Sequence, residues 1–262
     1  MLDDRLADSH VVVTGAAQGI GRGIATRVAR AGADVSIFDT KVETAAETVA
    51  AVEAEGGEAT VHEVDVSDAV SVADGVEAAV DDLGPIHGLV NNAGVQNAIP
   101  ILETTEAEWE HHQDVNAKGT FLVSKAVASH MVEVGTEGAI VNVASTAAER
   151  AFPGQGAYAT SKAGVVAFTK VLAKELGDRG ITANAINPGT VDTPMVQQWL
   201  AEHAAEGDRT EAEVLQGALD SHTLNRMGQP EEIGHVAVLL LSEEGEWITG
   251  EAINVDGGYT SE

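Results

Sequence analysis

Short runs rich in β-branched residues alternate along the chain with longer segments whose apolar residues recur every three or four positions, and few folds satisfy this pattern. The strand-like runs are residues 10–14, 34–38, 59–64, 86–91, 138–144, 181–187 and 251–255. Between them, residues 20–31, 41–55, 68–83, 106–134, 157–176 and 230–241 carry the helical period. A strand followed by a helix, repeated, predicts right-handed crossovers. The expected fold is therefore α/β: one domain over residues 1–262, a doubly wound sheet of seven mostly parallel strands with helices on both faces. No linker, low-complexity tract or solenoid repeat offers a boundary for a second domain. The irregular stretch 192–226 is expected to form one or two helices as a lid over the site.

Charge narrows the function. Asp and Glu number 42 against 14 Lys and Arg, a formal net charge of −28. Such a surface repels nucleic-acid backbone and anionic membrane, so neither is an expected partner. The acids are interleaved with apolar residues, so they belong to solvated faces and not to a disordered tail. Like-charge repulsion of this size calls for screening, which points to a halophilic protein in a salt-rich cytoplasm. The chain has no cysteine, which excludes disulfides and thiolate chemistry. Residues 1–9 carry three Asp and no apolar run, and no stretch has the length to span a bilayer, so a cytoplasmic location is expected.

After the first strand-like run, Thr14-Gly15-Ala16-Ala17-Gln18-Gly19-Ile20-Gly21 leads directly into a predicted helix. Glycines there let the backbone turn tightly and approach a pyrophosphate, which then meets the amides of a helix N-terminus. The second strand ends at Asp39, eighteen residues after Gly21. A carboxylate at that point accepts hydrogen bonds from both ribose hydroxyls and repels a 2′-phosphate, so NAD is the expected cofactor. Further on, Tyr158 and Lys162 lie four apart on one helix face, and Ser145 ends the fifth strand. A tyrosine ionises near 10, and neighbouring positive charge from Lys162 and an oxidised nicotinamide would bring it toward neutrality.

Asp65-Val66, Asn91-Asn92-Ala93-Gly94, Asn116, Ser145, Tyr158-Ala159-Thr160-Ser161-Lys162 and Pro188-Gly189 follow the glycine loop in order. In this set the chain resembles the short-chain dehydrogenase/reductase family over essentially its whole length, in particular its sugar and sugar-acid dehydrogenases and its 3-oxoacyl-carrier-protein reductases. The resemblance implies a Rossmann-like fold with Tyr158 as general acid/base and Ser145 polarising the substrate oxygen. It implies that Lys162 lowers the tyrosine pKa and binds the nicotinamide ribose, and that Asn116 holds a water in the proton relay. For the cofactor it implies Gly15, Gln18, Gly19, Ile20 and Gly21 at the pyrophosphate and Asp39 at the adenosine ribose. Asp65 and Val66 would meet the adenine, Asn92 the adenosine side of the cleft, Val191 the carboxamide, and Thr193 the pyrophosphate or carboxamide. The family also implies a homotetramer, with the 106–134 and 157–176 helices and the last strand at interfaces.

The substrate is expected to be a small molecule. Gln96, Glu149 and Gln155 flank the catalytic residues and suit hydrogen bonding to several hydroxyls, so a sugar, deoxy sugar acid or polyol is expected, held also by Ser145 and Tyr158. A 3-oxoacyl-carrier-protein reductase is the alternative, disfavoured by Asp39 and by the acidic surface. A non-catalytic dinucleotide sensor is a further alternative, disfavoured by the intact Asn116, Ser145, Tyr158 and Lys162. No metal site is expected: His111 and His112 point about 100° apart on a helix, and the nine histidines read as surface or helix-face residues. Trp109, Trp199 and Trp247 read as packing residues.

Overall fold

A computed structural model of the chain describes residues 4–207 and 209–261, Glu206 by its backbone alone. Residues 1–3 of the N-terminal segment, Asp208 of the lid stretch and Glu262 lie outside the described residues. Seven strands form one sheet: β1 His10–Thr14, β2 Asp34–Asp39, β3 Ala59–Glu63, β4 Gly88–Asn91, β5 Gly138–Val143, β6 Ile181–Pro188 and β7 Ala252–Val255. Their order is β3-β2-β1-β4-β5-β6-β7, and every neighbouring pair is parallel. The direction of winding reverses between β1 and β4, which opens a crevice beyond the carboxyl ends of the strands there.

The helices are α1 Gly19–Arg30, α2 Val42–Ala54, α3 Ala69–Leu83, α4 Glu106–His112, α5 Gly119–Val134, α6 Gly156–Leu176, α7 Pro194–Glu206, α8 Glu211–Leu219 and α9 Pro230–Leu241. Alternation along β1 shows how both faces of the sheet are covered. Val11 and Val13 pack into one core with Ile24 and Val28 of α1 and Val238 of α9, while Val12 packs into the other with Val123 and Met131 of α5. Central strands buried on both sides are what a parallel sheet requires. The edge strands β3 and β7 are only half covered.

Three points differ from the sequence reading. Residues 106–134 are not one helix: the π-helical turn Gln113–Lys118 separates α4 from α5, and Asn116 lies within it. Trp247 does not pack within the chain, being 97% exposed, and Trp109 is also exposed. Nor are all the histidines at the surface. His10, His112 and His222 are buried. His10 is satisfied by the Gly84 carbonyl at 2.9 Å and the Ser36 hydroxyl at 2.8 Å, both distant in sequence. Residues 192–226, expected to form a lid, hold two helices, α7 capped by Thr193 and α8 by the Thr210–Glu213 capping box.

Candidate active site

The glycine loop bridges β1 and α1 at the carboxyl end of the sheet. Gly15 (φ +63°) and Gly19 (φ +57°) occupy left-handed backbone that side-chain-bearing residues disfavour. Gln18 sits extended before α1 and its side chain makes no capping bond, so the opening turn of α1 presents its N–H groups uncapped. A pyrophosphate fits this cradle because it supplies the missing acceptors and the negative charge favoured there. Ile20 is half-buried against the core below. Thr193 faces the cradle across the crevice, its methyl 3.4 Å from where a Gly19 Cβ would stand. Val191 is pinned nearby by a parallel bridge to Gly228.

Asn92 acts from behind. Its amide donates to the Thr14 and Gly15 carbonyls at 3.1 and 2.9 Å, and its backbone N–H and that of Ala93 both donate to the Thr14 hydroxyl at 3.0 Å. It thereby ties the loop to the end of β4, a holding role beyond the cofactor contact implied by resemblance. Asp39 accepts from the N–H of Ala17 and of Lys41, both at 2.9 Å, so the carboxylate stands at the rim of the cradle. Arg22 is consumed locally: it donates to the Ala17 carbonyl at 2.7 Å and pairs with Glu47 at 2.7 Å. Asp65 is exposed, and hydrogen bonds from Ser67 hold its carboxyl below the usual range. Val66 is buried against Gly119, where a Cβ would come within 2.8 Å of its methyl.

Ser145 follows β5 and accepts from the Ala147 N–H at 3.1 Å as the chain turns through Thr146–Ala148. The Ser145 side chain stands beside the Tyr158 hydroxyl. The tyrosine is half-buried, and desolvation raises its pKa while the Ser145 side chain opposes the rise. One turn along α6, Lys162 is 5% exposed, with Nζ donating to the Val143 carbonyl at 2.8 Å and standing 5.8 Å from the Tyr158 ring centre. Burial lowers its pKa to about 8.

This lysine predicts a pH signature. Its folded pKa lies below the ordinary 10.5, so its contribution to stability is full above 10.5 and is lost as pH falls through about 8. Relative to Lys162→Met, the cofactor-free wild type should gain about 3 kcal/mol between pH 8 and 10.5, read from denaturation midpoints at fixed salt. A difference that stays constant over that window would contradict the burial of a titrating amine.

Asn116 is fully buried in the π turn. Its side chain accepts from the Val95 N–H at 2.8 Å and donates to the Val95 carbonyl at 3.0 Å and to the Ser161 hydroxyl at 2.9 Å, while Ser161 donates to the Tyr158 carbonyl at 2.7 Å. Its own carbonyl is reached by the Thr120 hydroxyl at 2.7 Å. A π turn at a functional position is a recurrent device. Buried His112 donates from Nδ1 to the Glu108 carbonyl (2.7 Å) and accepts at Nε2 from the Asn97 N–H (3.2 Å). Gln96 therefore lies between two anchored residues, Val95 and Asn97. Gln155 precedes α6 with its amide free of any capping role. Glu149 accepts from Asn187 at 3.3 Å and Asn254 at 3.1 Å, which ties it to β6 and β7. Ser161, His112 and the holding role of Asn92 were not read from the sequence. Ser161 had one available signal, its place between Tyr158 and Lys162 on the face toward Asn116.

A family model described as enoyl-(acyl carrier protein) reductase matches residues 15–260. The chain is 42% identical to the short-chain reductase protein NovJ of Streptomyces niveus, over 96% of this chain and 94% of that one. It is 39% identical to D-threitol dehydrogenase of Mycolicibacterium smegmatis, over 98% and 95%. Among solved structures, a protein of Agrobacterium tumefaciens provisionally named a 2-deoxy-D-gluconate 3-dehydrogenase, with bound NADP, superposes with a TM-score of 0.87 at 31% identity, over 98% of each chain. With a glycine loop opening onto the uncapped start of α1, a Ser145–Tyr158–Lys162 cluster and these relatives, the chain belongs to the short-chain dehydrogenase/reductase family and is an NAD(P)-dependent oxidoreductase acting on CH–OH groups.

Proposed function

We propose that the protein is an NAD-dependent dehydrogenase that interconverts a secondary alcohol and a ketone, or a sugar hemiacetal and its lactone, on a sugar, deoxy sugar acid or polyol. The observation that carries the reading is Lys162 standing 5.8 Å from the Tyr158 ring with Ser145 beside the tyrosine, next to the glycine loop at the uncapped start of α1. Bound nicotinamide supplies the hydride acceptor or donor. Ser145 holds the substrate oxygen, Tyr158 takes the hydroxyl proton in oxidation and returns it in reduction, and Lys162 favours the tyrosinate by its charge. Asn116 fixes the backbone at Val95 and, through Ser161, that of Tyr158. Half-buried Gln96 and Gln155 supply polar groups beside the pair, and Glu149 shapes the same rim through Asn187 and Asn254.

The NAD preference rests on Asp39 at the rim and on Arg22 being paired with Glu47, which leaves exposed Lys41 as the cation beside Asp39 that a 2′-phosphate could meet. Asp39→Asn keeps the shape and removes the charge. It should lower the ratio of kcat/KM for NAD over NADP by at least about tenfold, since like-charge repulsion is worth several kcal/mol. An unchanged ratio would remove Asp39 as the determinant.

The reading is tested by following NADH formation in molar KCl at mildly alkaline pH with aldoses, deoxy sugar acids and polyols. Turnover on one of these classes supports it. Silence with NADH still binding moves the assignment to acyl ketones, a second reading favoured by the exposed Ile101 and Leu102 on the loop after β4, or to a sensor if ketones fail as well. The net charge of −28 further predicts salt-dependent stability: Tm should rise by roughly 10 °C or more from 0.1 to 2 M KCl as repulsion is screened. A Tm equal in both would end the proposal of a halophilic protein adapted to a salt-rich cytoplasm. A homotetramer is the proposed assembly, supported by exposed Phe121 on α5, Val171 on α6 and Trp247 before β7, and light scattering in high salt tests it.

A further inference from the structure

Residues 256–261 follow β7 as a tight turn closed on Asp256, whose carboxylate accepts from the Gly258 N–H (3.0 Å), the Thr260 N–H (2.8 Å) and the Thr260 hydroxyl (2.7 Å). From this turn Tyr259 meets two separate parts of the active-site rim. One is the loop after Ser145: the Arg150 guanidinium donates to the Tyr259 carbonyl and lies 4.4 Å from its ring centre, and Phe152 stacks on the ring at 5.8 Å and 13°. The other is the end of the lid stretch, where the His222 ring lies 4.7 Å from the same ring.

His222 makes this second contact informative. It is 6% exposed, and among the described residues neither of its ring nitrogens has a hydrogen-bond partner. The imidazole packs on Tyr259 and on the adjoining Gly257, and the Ala218 carbonyl and the Asp256 carboxylate are the polar groups that act on it. The backbone adds a single strap, Leu224 N–H to the Gly257 carbonyl at 2.9 Å, with the Thr223 hydroxyl reaching the Gly258 carbonyl at 3.3 Å. Below, a Cβ on Gly189 would come within 2.8 Å of the Asp256 Cα, so the turn sits directly against the end of β6 and has no room to settle inward.

We propose that Tyr259 is a positioning residue: by packing against Arg150, Phe152 and His222 at once, it couples the lid to the Ser145 loop and sets the lid's place over the Ser145–Tyr158 pair. The inference rests on the reading that substrate binds between that pair and the lid. It gives the last residues of the chain a part in substrate affinity, separate from cofactor binding and from the proton transfer.

The test is hydrogen exchange on the full chain in molar KCl for wild type, Tyr259→Ala and Tyr259→Phe, with KM and kcat on whichever alcohol the panel turns over. In Tyr259→Ala, residues 211–224 and 149–155 should both exchange at least about tenfold faster while β1, β4 and β5 are unchanged. KM should rise about tenfold with kcat and the NADH Kd within about threefold. Tyr259→Phe keeps the ring and should match wild type. Unchanged exchange in either segment, equal losses in the two variants, or a fall in kcat at constant KM would overturn the proposal. Should Tyr259→Ala not fold, His222→Ala is measured instead, and undiminished protection of residues 211–224 overturns the proposal equally. A silent panel leaves the exchange comparison intact, so this inference and the substrate reading fail separately.

Discussion

Tyr158→Phe is expected to lower kcat by about 10²–10⁴-fold, the range contributed by a positioned general acid/base, while the NADH Kd stays within about threefold. The substitution removes one oxygen and little else. The ring that Lys162 faces at 5.8 Å remains, the Lys162 bond to the Val143 carbonyl remains, and the Ser161 bond uses the Tyr158 carbonyl rather than its hydroxyl. Ser145 loses the phenolic oxygen beside it but keeps the Ala147 N–H. Steady-state rates paired with a fluorescence titration of NADH separate the two quantities. Equal rates for variant and wild type would show that another group carries the proton.

Gly15→Ala should be felt at the other end of the site. At φ +63° an alanine pays the left-handed penalty, and its Cβ would stand 2.7 Å from the Ala93 Cα and 2.9 Å from the Ala93 nitrogen, both backbone atoms that cannot rotate away. Strain of about 1–3 kcal/mol at the dihedral and about 1–3 kcal/mol for overpacking would be relieved only by moving the loop off β4. That movement breaks the Asn92 and Ala93 bonds to Thr14 and displaces the cradle. The expected result is an NADH Kd raised at least about tenfold together with a lower Tm, since 1.4 kcal/mol of lost binding is already tenfold. Wild-type affinity in this variant would mean that the cradle is not where the phosphates bind.

The sheet was legible because each strand-like run is followed by a helical period, and parallel strands covered on both faces leave that trace in single residues such as Val11, Val12 and Val13. The π turn left none. A π turn differs from its flanks by the spacing of backbone bonds, and the apolar recurrence through residues 106–134 continues across it. What imposes the turn is the set of bonds from Asn116 to Val95 and Ser161, residues remote in sequence. The lid helices had local signals, Thr193 before Pro194 and Thr210 three residues before Glu213, that outweigh the absence of a clear apolar period. His10, His112 and Trp247 show the opposite limit. Each has an environment set by non-local chain, and neither residue type nor neighbours disclosed it. At the site, the resemblance named candidate residues from their motifs, whereas the holding groups Asn92, Ser161 and His112 became visible only once their partners were in place.

The central claim is that this chain moves a hydride between nicotinamide and the carbon bearing the oxygen held by Ser145 and Tyr158. The most direct measurement supplies reduced nicotinamide cofactor carrying deuterium at the transferring position, with a panel of keto-sugars, keto-acids and acyl ketones in molar KCl, and weighs the alcohol product by mass spectrometry. The account predicts deuterium bound to carbon in the product with wild type and essentially no product with Tyr158→Phe. Product formed without deuterium, or deuterated product formed equally well by Tyr158→Phe, would contradict it.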